Sequence, residues 1–226
     1  MKQNYILNLF YFWIPIAFII IQVVLESILP RDVMSNSLSE DGPHELLQFF
    51  IMLLATLVSI YYFISSETNK NIVYKFWFGT AFVCCLYVTG EEISWGQHFL
   101  EWNTPDYWHR INDQQETNLH NTSSWFDQKP RLILMLGIVF GTLILPTVVS
   151  KNILKLPDIL KTLIPEKSFS IIAFLIIGTH LLEKILSFLD IDFFARYSEV
   201  QEIMLFYFVL LYLINLYHKL SYNEKP

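Results

Sequence analysis

Six stretches of the chain stay apolar long enough to cross a bilayer, and they frame everything between them. They run over 5–29, 45–65, 72–90, 131–150, 169–189 and 200–219. Each falls within the ~17–25 residues that a membrane-spanning helix needs. The pattern predicts an all-α integral membrane bundle of about six transmembrane helices in a single domain, 1–226, with one long connector, 91–130, at the extracytoplasmic interface. Leu29-Pro30 closes the first run, Asp41 and Pro43 open the second, and Pro15 and Pro146 are expected to kink the runs that contain them. The first run reads as a span and not as a secretory signal. Its apolar core from Tyr5 to Leu25 is longer than the ~7–15 residues of a signal, and no small-x-small cleavage site follows it.

Composition agrees with the pattern: 54% of residues are hydrophobic and the mean hydropathy is +0.41, beyond the range of soluble domains. Cys84 and Cys85 are neighbours inside the third run. Side chains about 100° apart on a helix do not bridge, so both are expected to be buried thiols and not a disulfide or metal pair. Charge sets the orientation. Lys2, Lys70, Lys75, Lys151, Lys155, Lys161, Lys167, Lys219 and Lys225 fall on one side, against Arg31, Arg110, Lys129, Arg131 and Arg196 on the other. This places both termini in the cytoplasm of a cell whose inner membrane holds the chain. The net charge is −6 and most carboxylates collect on the opposite face, which argues against a nucleic-acid partner and leaves the lipid bilayer as the expected one.

The chemistry concentrates where the third run ends. Thr89 to Asn121 packs carboxylates, histidines and tryptophans into a segment that a plain linker would not need. Continued helix there places Glu91, Trp95, His98 and Trp102 in one row and Glu92, Gly96 and Phe99 in the next. Trp95, Trp102, Trp108 and Trp125 suit a segment in the headgroup layer. Further on, Glu116 and His120 are four apart, so one helical turn would face them the same way, as metal ligands or a proton relay. Gln97, Asn112, Gln114, Gln115 and Asn118 add amide groups. These two segments, GEEISWGQ at Gly90–Gln97 and ETNLHN at Glu116–Asn121, resemble a group of bacterial multi-pass membrane proteins that carry GEExSWGQ followed by ETNLHN. The resemblance lends weight to Glu91, Glu92, Trp95, Gln97, Glu116, Asn118 and His120, and it implies no activity.

Other polar residues sit at the same ends of neighbouring runs. His44-Glu45-Leu46-Leu47-Gln48 lacks the second histidine of a zinc-protease HExxH pattern, which leaves Glu45 as a helix-capping residue or, with Gln48, as part of a polar pocket. His180 and Glu183 are three apart within the fifth run, where they pair with Lys184 or act as two ligands on one face. Arg196, Glu199 and Glu202 open the sixth. Gly137 and Gly141 form a GxxxG face for close helix packing or for association of two copies. The connector 151–167 reads as an amphipathic segment on cytoplasmic headgroups.

Isolated charges at membrane depth are costly, so the sequence predicts that Glu45, Glu91 or Glu92, Glu116, His120, His180, Glu183 and Glu199 or Glu202 line one cavity. Two function classes follow. One is a metal-dependent hydrolase or transferase acting on a lipid or lipid-linked substrate. Glu116, His120, His180 and Glu183 would hold one divalent ion (zinc, manganese or iron), Glu91 or Glu92 would be the general base, and Arg196 an anion clamp. Glu45, Gln48, Trp95, Gln97, Asn118, Glu199 and Glu202 would line the substrate site. The other is a proton- or cation-coupled transporter that uses the same groups as a relay; a non-catalytic membrane assembly factor stands behind both. The chain has no Gly-rich phosphate loop, no G-x-S-x-G elbow and no CxxC pair.

Overall fold

The computed structural model describes residues 8–30, 42–65, 68, 71–112, 114–191 and 197–222. The described residues are helical or irregular, with no strand among them. The helices are α1 (Leu9–Ile28), α2 (Pro43–Ile64), α3 (Ile72–Glu91), α4 (Gln97–Leu100), α5 (Asp106–Ile111), α6 (124–150), α7 (Asp158–Thr162), α8 (Phe169–Phe188) and α9 (Tyr197–Tyr222). Six of them, α1, α2, α3, α6, α8 and α9, carry stretches long and apolar enough to cross a membrane. At 1.5 Å per residue the shortest of these, 20 residues, is about 30 Å long, the thickness of a bilayer core. All six coincide with runs read from the sequence. The fourth starts earlier than expected, at Ser124, with Pro130 in its second turn.

Both inner prolines are met by a widened turn and not by a break. A π turn at Leu9–Trp13 ends two residues before Pro15, and a second at Phe140–Ile144 ends two residues before Pro146. Proline lacks an N–H and crowds the carbonyl one turn back, which a wider turn relieves.

The chain packs as two compact units. The first comprises Met1–His44 with Gly137–Phe208, the second Glu45–Leu136 with Val209–Pro226. In the first unit Phe169, Ile172, Ala173 and Ile176 of α8 are wholly buried. Tyr11 of α1 meets Phe169 edge-on at 4.8 Å, and Phe208 of α9 meets the same ring at 5.1 Å. Tyr207 Oη donates to the Phe10 carbonyl at 3.0 Å. In the π register that carbonyl faces the nitrogen of Pro15, which has no hydrogen to give, so the tyrosine supplies the missing donor. At the second π turn Ser170 Oγ donates to the Thr142 carbonyl at 3.4 Å, one residue beyond the Gly141 carbonyl that the π register turns towards Pro146.

In the second unit Tyr62 of α2 stacks flat on Tyr217 of α9 at 3.8 Å and meets Phe78 of α3 edge-on at 5.5 Å. Deeper along the same pair of helices Thr56 and Thr89 share a hydrogen bond of 3.0 Å between their hydroxyls. Asn71 caps α3 by accepting from the Val73 N–H at 2.9 Å. The Thr56–Thr89 bond lies at the end of α3 from which the polar connector departs.

Three expectations change here. Cys85 is buried but Cys84 is exposed, because the two point to different sides of α3. Gly137 has open space where a Cβ would stand and Gly141 meets only Pro165 Cδ at 4.0 Å, so the glycine pair packs against no other described helix of this chain. The segment 151–167 is helical only over Asp158–Thr162, and Ile153 and Leu160 are exposed there as its lysines are. There the Lys161 ammonium, bonded to Asp158 at 2.8 Å, holds that exposed carboxyl below the usual carboxylate range.

Candidate functional site

Helix α3 ends at Glu91, and the backbone then turns left-handed. Ser94, Trp95 and Gly96 have φ of 47°, 56° and 100°. The helical rows expected through Trp95 and His98 are therefore broken. A left-handed turn throws the Trp95 indole back along α3, where it lies over Gly90 so closely that a Cβ there would stand 2.7 Å from the ring. Gly90 is the space that the indole needs. In that position Trp95 Nε1 donates to Glu91 Oε1 at 2.8 Å.

The other oxygen of Glu91 reaches across to the second polar segment. Oε2 accepts from the backbone N–H of Leu119 at 2.7 Å and of His120 at 2.9 Å. The carboxylate is only 3% exposed and all three neighbours are donors, an environment that takes a carboxylate and not an amide. Imidazole Nδ1 of His120 stands 3.5 Å from the same Oε2, while the His120 side chain is 31% exposed. His120 thus sits at the surface with an anchored anion behind it.

Around this joint the two segments interlock. Glu116 Oε2 accepts from Ser94 Oγ and, at 2.7 Å, from Asn118 Nδ2, which also donates to Ser94 Oγ at 2.8 Å. Asn112 Oδ1 accepts from the N–H of Gln114 and Glu116, and its Nδ2 donates to Asn118 Oδ1 at 2.7 Å. Gln97 Oε1 accepts from the N–H and hydroxyl of Thr117, both at 2.8 Å, and its Nε2 donates to Thr104 Oγ1 at 2.6 Å. Ser94, Asn112, Glu116 and Asn118 are all buried. Nearly every polar residue of GEEISWGQ and ETNLHN has a place in this network.

The expected metal set does not assemble among the described residues. Glu116 and His120 do not share a helical turn: Glu116 lies in irregular backbone and His120 opens a short 3-10 turn, His120–Thr122. Glu116 is turned to Ser94 and Asn118, and His120 to Glu91. His180 and Glu183 belong to the first unit, where His180 Nδ1 lies 3.2 Å from Gln201 Nε2 and Glu183 lies 3.3 Å from Lys184. No group of three or more His, Cys, Asp or Glu side chains that could hold an ion occurs among the described residues.

The remaining site residues are placed as follows. Glu92 is half-buried at the C-cap of α3, Glu45 half-buried in the first turn of α2, and Gln48 almost wholly buried one turn further on. Glu199 and Glu202 are half-buried on α9. Arg196 lies outside the described residues. The interlocking residues that the sequence left without a site role are Ser94, Thr104 and Thr117, together with Asn112, which stood only among the amide side chains of the connector. Ser94 had a signal in the Ser-Trp-Gly turn; Asn112 had only the general tendency of asparagine to bond nearby backbone. Comparison with protein-family models, with curated proteins and with solved structures finds no match to this chain.

Proposed function

We propose that this is a multi-pass membrane protein with cytoplasmic termini whose connector lies in the outer headgroup layer. There His120, oriented by Glu91, serves as the acid–base residue of a hydrolase or transferase acting on a lipid or lipid-linked substrate. The observation that carries this reading is the half-exposed imidazole of His120 beside a buried carboxylate fixed by three donors. A carboxylate held in that way cannot turn aside. With Nδ1–H directed to Glu91 Oε2, the pair leaves Nε2 to take a proton from water or a hydroxyl nucleophile and return it to a leaving group. The gap of 3.5 Å closes with a small rotation of the ring, as is common for catalytic pairs without substrate. Exposed Trp95, Trp102 and Trp125 support a seat among headgroups, and no step runs through a metal.

The test is conversion of lipids by the purified full chain in vesicles made from membrane lipid extract, followed by mass spectrometry. The wild type is expected to deplete one lipid class with matching product. His120→Gln is expected to slow this about 100-fold or more, the usual contribution of a general acid–base residue. No conversion by the wild type, or undiminished conversion by His120→Gln, contradicts the proposal. Reporter fusion at Asn121 tests the orientation; activity there of a reporter that works only in the cytoplasm overturns it.

A further inference from the structure

A second polar constellation lies in the first unit, within helices that are otherwise apolar. Gln22 is 2% exposed in the run Phe18-Ile19-Ile20-Ile21-Gln22-Val23-Val24 of α1. Its Nε2 donates to Glu26 Oε1 at 2.8 Å, one turn further on, and its Oε1 stands 2.8 Å from Nε2 of His44 at the start of α2. The order of these groups fixes their hydrogens. A carboxylate only accepts, so the amide NH2 must face Glu26 and the amide oxygen must face the imidazole; His44 Nε2 therefore carries a hydrogen. In neutral His44 the lone pair is then on Nδ1. A proton added at Nδ1 gives an imidazolium whose Nε2–H still donates to Gln22, with the Glu26 anion two hydrogen bonds away.

We propose that Glu26, Gln22 and His44 form a proton-binding site at the end of the first span, distinct from the His120–Glu91 pair. Nδ1 of His44 is buried, so a proton reaches it from hydronium only when water enters the site, leaving water behind, and the new positive charge is balanced by Glu26 through the polarised amide of Gln22. A buried amide in an apolar helix is costly unless both its ends are bonded, and leucine would serve packing as well. Here both ends are bonded, and both partners are titratable. The elements packed against α1 bring further charges: His180, Glu183 and Lys184 on α8, and Glu199 and Glu202 on α9, while Glu45 follows His44 in the chain. Of these, His180 is engaged by Gln201 and Lys184 by Glu183.

Nitrogen-15 NMR of the full chain, labelled at histidine and held in lipid nanodiscs at fixed pH, reads the site directly. The His44 signals, assigned by their loss in His44→Gln, are expected to show the Nε2–H tautomer together with imidazolium. Gln22→Met and Glu26→Gln are each expected to lower the ratio of imidazolium to imidazole at His44 about tenfold, by removing the link to the anion or the anion itself. Unchanged His120 and His180 signals show that the fold is kept, and Glu26→Gln preserves size and hydrogen bonding if Gln22→Met does not. An Nδ1–H tautomer in the wild type, or a ratio within twofold of wild type in either folded variant, overturns the proposal.

Discussion

Ser94 and Trp95 carry the cost of the site in their own backbones. A left-handed conformation disfavours a residue with a Cβ by about 1–2 kcal/mol, and here two such residues precede Gly96, where φ of 100° needs glycine. What holds them is the bonding of their side chains, Ser94 to Glu116 and Asn118, Trp95 to Glu91. This separates two substitutions of similar size. Ser94→Ala keeps the strain and loses the hydroxyl, and is expected to destabilise by about 2 kcal/mol. Ser94→Gly loses the same hydroxyl but relieves the strain, and should be the more stable of the two by about 1 kcal/mol. Unfolding of both in detergent micelles checks this; Ser94→Gly below Ser94→Ala would show that the turn is not strained. Of these residues the sequence identified Glu91, Trp95, Glu116 and Asn118 by their chemical type, but their partners were not legible. Helical spacing joined Glu91 to Trp95 along a continuous helix, whereas the bond forms because the helix stops and the chain turns left-handed. Glu116 and His120 were joined by the same spacing, and the irregular backbone between them turns each to a different neighbour.

Elements were legible where period and length alone decide. All six apolar runs appear as helices, since a run of about 20 apolar residues has few other ways to satisfy its backbone in lipid. The π turns before Pro15 and Pro146 were not legible, because a proline can be met by a kink, a break or a wider turn, and the neighbours decide which. At Pro15 the neighbour is Tyr207, whose hydroxyl takes the Phe10 carbonyl. Tyr207→Phe is expected to lose about 1–2 kcal/mol, the usual result of leaving a carbonyl in apolar surroundings without a donor. Pro15→Ala restores a backbone N–H, so in the double variant the tyrosine is expected to matter less, with a coupling of about 1 kcal/mol. A double-mutant cycle of unfolding free energies checks it; strict additivity would mean that the hydroxyl and the proline act independently.

At the scale of the molecule, the two segments that stood apart in the sequence become one corner through a single side chain. Glu91 ends a span, holds Trp95 on one oxygen, and holds the amides of Leu119 and His120 on the other. The His120 reading depends on that joint, and so does the order of the connector, because charge-assisted bonds of this kind contribute about 1.5–3 kcal/mol each. Two packed units, each with its own buried aromatic core, hold the spans without it. Residue-resolved amide exchange over the whole chain in lipid nanodiscs, comparing the wild type with Glu91→Gln, therefore tests the account most directly. The carboxamide offers one acceptor where three donors need two. Exchange at Leu119 and His120 is expected to quicken about thirtyfold or more, with the rest of 112–122 following and the apolar cores of the spans unchanged; unchanged exchange at Leu119 and His120 would contradict the role given to Glu91.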